Sequence, residues 1–125
     1  MVDTLKQDRN AGAGHYVVSE AHGYRSREQV IIAGGSGRLR AGTVLGRVTA
    51  TGKLKPFAPA ATDGTQTAAA ILWEGCDATA EDVRRTITAR DSEVHANVLT
   101  FAAGTTDVQK TAAMANLAAL GIVGR

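Results

Sequence analysis

The chain is 125 residues long, with 14 Lys and Arg against 12 Asp and Glu, a formal charge of +2, a single Cys and an aromatic content of 4%. This length suits one domain with a radius of gyration of roughly 14 Å and excludes a two-domain enzyme; the near balance of charge gives no overall field that would argue for nucleic acid; one Cys excludes an intrachain disulfide. The core must be built from Val, Ile, Leu and many Ala, which at about 25 cal/mol per Å² leave a lone subunit modestly stabilised, so oligomerisation would help.

Residues 1–26 are polar and contain one compact apolar patch, Tyr16-Val17-Val18. A segment of this composition is expected to be disordered alone and to order on a surface. One route is strand addition, in which an extended arm donates its backbone groups to an exposed sheet edge while alternate side chains such as Tyr16 and Val18 fill pockets. The other is that the arm packs back on its own domain. No apolar run of 18 residues and no apolar stretch near Met1 is present, so neither a membrane span nor a secretory signal is expected.

From residue 27 the pattern is that of a β-rich domain. Glu28 to Ile32 reads as a strand, buried along Val30-Ile31-Ile32. The glycines of Gly34-Gly35-Ser36-Gly37 predict a flexible turn, because a phosphate loop would need the Gly-Lys-Ser/Thr ending and a following helix. Thr43 to Val48 and Lys53 to Phe57 predict a hairpin closed at Thr51-Gly52. Thr62-Asp63-Gly64 then turns the chain into a strand over Ala68 to Leu72. Trp73 after it is a candidate core anchor or subunit seam.

Cys76 is flanked by Glu74 and Asp77, carboxylates that would raise a thiol pKa, so it is expected to be a small buried hydrophobe and not a nucleophile. Ala78 to Val83 predicts one helical turn or a short helix, with Thr79 as N-cap and Asp82 three residues on. Arg84 to Arg90 alternates as a half-exposed strand, with Arg85, Ile87 and Ala89 opposite Arg84, Thr86, Thr88 and Arg90. Asp91-Ser92 is a bend, and Val94 to Phe101 alternates as a further strand. A capping box at Thr106 and Gln109 starts a helix from Asp107 to about Leu120, whose larger apolar groups are Val108, Met114, Leu117 and Leu120. Gly121 ends it, and Ile122-Val123 returns as a short strand or tail.

Candidate chemistry is sparse. His15, His22 and His95 lack the spacing of a zinc site, Glu81-Asp82 and Asp91/Glu93 read as solvated carboxylates, and no G-x-S-x-G elbow is present; no catalytic, cofactor or metal residues are assigned. The stretch between Gln29 and Thr62 has no acidic residue but carries Arg38, Arg40, Arg47, Lys53 and Lys55, a polarity suited to an acidic partner or to a solvated mixed face.

The segments AGTVLGRVTATGKLKPFAP, ATDGT, AAAIL and RRTITARDSEVHANVLTF together resemble the head decoration protein family of tailed bacteriophages, typified by the lambda protein D type, over roughly residues 27–123. The resemblance implies a mainly β domain with a short C-terminal helix (α+β), β-clip-like, over residues 27–125, preceded by an extended arm over residues 1–26. It implies a homotrimer seated on the outer surface of the expanded head, bound to the major capsid protein and cementing the shell against internal DNA pressure, assembled in the host cytoplasm, with no cofactor, direct nucleic-acid contact or membrane. In that reading His15, Tyr16, Val17, Val18 and Tyr24 of the arm contact the capsid, and Trp73 sits at the trimer seam or anchors the core. The alternative is a small β-clip ligand-binding or enzymatic module, which a pocket with convergent polar groups would favour.

Overall fold

Five strands close into a barrel in the computed structural model, which describes residues 12–125. The strands are β2 (Arg27–Ile32), β4 (Val44–Arg47), β5 (Leu54–Pro56), β6 (Ala68–Leu72) and β8 (Val83–Thr88), hydrogen-bonded in the order β2-β5-β4-β6-β8. All neighbours are antiparallel except β2 and β5, which meet in parallel at Ile32 and Leu54. A short ribbon pairs β3 (Gly37–Leu39) with β7 (Cys76–Ala78). Beside the barrel lies a three-stranded sheet in which β9 (Ser92–Val94) is flanked by antiparallel β1 (Val17–Glu20) and parallel β10 (Ile122–Gly124). The one α-helix among the described residues, α1 (Asp107–Ala118), packs against β6 and β10. The fold is therefore mainly β with a short C-terminal helix, as the sequence implies.

Strand pleating divides the apolar residues between two cores, because successive side chains point to opposite faces. Ile32, Leu45, Leu54, Ala70, Leu72 and Ile87 come from all five barrel strands and fill the barrel. Their neighbours Val44 and Ile71 point outward and join Tyr16, Phe57, Val94, Leu99, Ala113, Leu117 and Ile122 in a second core under α1 and the small sheet. Ala113 needs no more than a methyl group to let the helix sit close to that layer.

Local turn chemistry behaves as expected. The β4–β5 hairpin closes with Gly52 at φ 74°, and Gly121 ends the helix at φ 84°. Thr106 accepts from the Gln109 amide at 3.2 Å while the Gln109 side chain accepts from the Thr106 amide at 2.9 Å, so the capping box is reciprocal.

Several expectations need correction. Ala78 to Val83 is not a helix: β7 ends at Ala78, Asp77 accepts from the Thr79 amide and hydroxyl, and Asp82 accepts from the Gly34 amide at 2.8 Å, so the side chains that suggested a cap hold bends instead. The strand expected over Val94 to Phe101 stops at Val94, where both flanking strands run out; a turn of 3₁₀-helix over Ala96–Val98 follows. Ile31 is not buried, since β2 forms a barrel wall and alternates. Thr88, placed by alternation on the solvent side with Arg84, is fully buried because a second layer covers that face. The helix expected to reach about Leu120 ends at Ala118; on it Val108 is 79% exposed, Leu120 beyond its end is exposed too, and Ala113 and Leu117 are its buried contacts.

Candidate functional site

The residues from Gly12 to Arg27 enclose the structure's densest group of aromatic and charged contacts. The Gly14 amide donates to the Trp73 carbonyl at 2.9 Å, which pins the chain to the end of β6. Two residues on, Tyr16 is wholly buried in the second core, its ring edge-on to Trp73 with centroids 6.2 Å apart. Its hydroxyl lies 2.6 Å from Thr88 Oγ1 and 3.4 Å from the Ile71 carbonyl. Burial, only partly offset by the Thr88 hydrogen bond, pushes the phenol well above its ordinary pKa, so it acts as a neutral hydrogen-bonding group.

Of the two routes open to the N-terminal segment, its described part takes the second: from Gly14 onward it packs on its own domain. The reason is Tyr16, whose large apolar ring finds a cavity lined by Val44, Ile71, Trp73 and Val94, residues distant in sequence. Tyr16 therefore presents no surface to a partner, and Val17 pairs with Val94. Val18, 46% exposed, and Tyr24, 79% exposed, do face outward. His15 is half-buried, its Nδ1 2.8 Å from the Gly12 carbonyl. Residues 1–11 of the expected arm lie outside the described residues.

Trp73 is half-buried against the second core, and the Arg27 guanidinium carbon lies 3.7 Å from its ring centroid and 5.5 Å from that of Tyr24. Arg27 also donates to Glu20 at 2.5 Å through Nη2 and 3.3 Å through Nε, and Ser26 Oγ donates to the same carboxylate at 2.8 Å. Partial burial raises the pKa of Glu20, but the bonds from Arg27 and Ser26 outweigh it and hold the carboxyl below its ordinary value. Sequence reading missed Arg27 and Glu20. Their seven-residue spacing spans the turn between β1 and β2, which no local pattern reveals.

Two members of the basic run are answered from the acidic half of the chain. Lys53 pairs with Asp82 at 2.6 Å and Arg38 with Asp77 at 3.6 Å, while Arg47 donates to the Gly52 carbonyl at 2.9 Å. Hydrogen bonds likewise hold Asp63, Asp77, Asp82 and Glu93 below the ordinary carboxylate range, and Glu93 binds both Ser19 and Arg125. Each depressed carboxyl contributes stability that is present above its unfolded pKa and lost as pH falls through the folded one. The urea unfolding midpoint should thus hold steady near neutrality and decline below about pH 4; a midpoint unchanged to pH 3 would contradict these bonds.

Elsewhere the surface offers shallow open grooves. One, of about 340 Å³, runs between Pro56–Ala60 and Ala102–Thr105 beside Gln109 and is mostly apolar. Among the described residues no three His, Cys, Asp or Glu side chains gather where they could hold a metal ion, and no helix is long and apolar enough to cross a membrane. Burial raises the Cys76 thiol and outweighs the downward pull of Arg85, with Asp77 and Glu74 adding smaller upward pushes, so the thiol is the opposite of an activated nucleophile.

A family model for the bacteriophage lambda head decoration protein D matches residues 4–122. The chain belongs to this family. The match takes in the segment up to residue 26 as well as the barrel, beyond the roughly 27–123 of the sequence resemblance. No curated protein matches the chain. Membership in a head decoration family makes this a bacteriophage capsid protein with a structural, decorating role in the virion.

Proposed function

We propose that the protein cements the phage head: a homotrimer binds the outer surface of the expanded shell, contacts several major capsid protein subunits, and resists the pressure of packaged DNA, after assembly in the host cytoplasm. The family match over residues 4–122 carries this reading. Two features support it. A subunit with small core side chains that leaves Val108 on the helix and Leu120 just beyond it exposed has apolar surface available for association. And among the described strands β1 forms an edge of its sheet, with Val18 exposed on it and Tyr24 exposed beyond it, a place where backbone pairing with a capsid strand can begin.

The physical basis is linkage. A clamp that touches neighbouring subunits binds only when they hold the spacing that matches it, so its binding energy adds to the stability of the expanded lattice. Adding the protein to bare expanded heads should raise their melting temperature in a saturable way, and no shift at saturation would refute cementing. Deletion of residues 1–11 is the matching test of the arm. The barrel, both cores and α1 lie within residues 12–125, so the shortened chain should fold yet bind heads weakly; undiminished binding would exclude the arm from the interface.

A further inference from the structure

We propose that Trp73, Arg27 and Glu20 form a clamp that fixes where the N-terminal segment joins the barrel, and that head binding depends on this placement; the proposal rests on the arm reading above. The small sheet touches the barrel through few backbone bonds, since β1 pairs only with β9 among the described strands. Besides the buried Tyr16 and its bond to Thr88, what ties β1 to the barrel is a backbone bond and a ring contact ahead of it and an ion pair behind it. Ahead of it, Gly14 is held by the Trp73 carbonyl at φ 64°, and a Cβ there would lie 2.6 Å from Trp73 Cζ2, so the indole and the chain are in direct contact. Behind it, Glu20 is gripped by Arg27 at the start of β2, and the Arg27 guanidinium carbon lies 3.7 Å from the centroid of the same indole.

The contacts therefore form one circuit, Gly14 to Trp73 to Arg27 to Glu20, that brackets β1 and links it to β2 and to the end of β6. The planar, forked guanidinium suits this double duty: it stacks on an aromatic face and binds a carboxylate in plane, which an ammonium group cannot do. For a binding element tethered to a domain with its own contacts, effective concentration depends on where the tether starts and which way it leaves. Loosening the clamp should cost head affinity through misplacement of the segment, with no direct contact to the capsid lost.

The test is a double-mutant cycle on binding to expanded heads. Arg27→Ala and Arg27→Lys are made in the full chain and in the chain lacking residues 1–11. In the full chain both should weaken binding, by about tenfold or more, and amide exchange over residues 14–20 should quicken. In the shortened chain neither should weaken it further. Arg27→Lys keeps the charge and the alkyl stem, so it preserves the fold where Ala does not, and its failure to restore binding separates stacking from simple charge. Equal losses in both backgrounds, full affinity in the long chain, or rescue by Lys would each overturn the clamp. If deleting residues 1–11 by itself leaves affinity intact, the arm reading fails first and the clamp with it; a loss on deletion with no effect of Arg27 sinks the clamp alone.

Discussion

Tyr16→Ala is expected to destabilise the folded protein by about 3–5 kcal/mol, the range for deleting a fully buried aromatic ring. The side chain is entirely enclosed and touches both Trp73 and Thr88, so the void would open at the junction of the barrel and the small sheet. Urea or thermal unfolding checks this, with a drop in melting temperature of about 10–20 °C for a domain of this size. Tyr16→Phe separates the ring from the hydroxyl. It keeps the packing but leaves the buried Thr88 hydroxyl without its 2.6 Å partner, which should cost about 1–3 kcal/mol. If the alanine variant loses less than the phenylalanine one, Tyr16 does not join the two layers as described.

Gly46→Ala should cost about 1–3 kcal/mol, at the upper end for an overpacked core position. Gly46 lies in β4, between β5 and β6, and a methyl group there would sit 2.5 Å from Thr65 Cα and 2.9 Å from Thr65 C. These are backbone atoms and cannot rotate away. Nor can β4 retreat, because it is paired on both sides in a closed barrel. Gly12→Ala is the control: a Cβ meets nothing within 4 Å there, and the change should stay within about 0.5 kcal/mol. Similar unfolding free energies for the two variants would show that the Thr65 loop yields easily.

Elements written in local chemistry were legible from the sequence. The Thr106 capping box, the Gly52 hairpin and the bounds of β6 each depend on residues within a few positions of one another, and each stands where expected. Elements decided by distant partners were not. Asp82 resembles a helix signal until Gly34 and Lys53 claim its oxygens from across the molecule. Thr88 resembles a solvent residue until Tyr16, 72 positions away, covers it. Val94 to Phe101 alternates along its length, but the strand runs over Ser92–Val94, taking in the expected bend at Ser92, and pairing on both sides ends at Val94, a point the pattern alone cannot mark.

The same division holds for the candidate site. Composition drew attention to the aromatic and apolar residues of the N-terminal segment and to Trp73, and these do gather in one region. It did not separate Tyr16, whose side chain is spent inside the domain, from Val18 and Tyr24, whose side chains remain outside. Nor did it find Arg27, whose importance lies in meeting two rings, Trp73 and Tyr24, while bonding to the Glu20 carboxylate.

The chain has one tryptophan, and it lies where the N-terminal segment joins the barrel, beneath a guanidinium and beside a buried phenol. Ultraviolet emission from the unlabelled protein therefore comes from a single indole at that seam. The molecule carries its own optical gauge of whether the seam is closed, readable on the isolated protein in solution without attaching a dye.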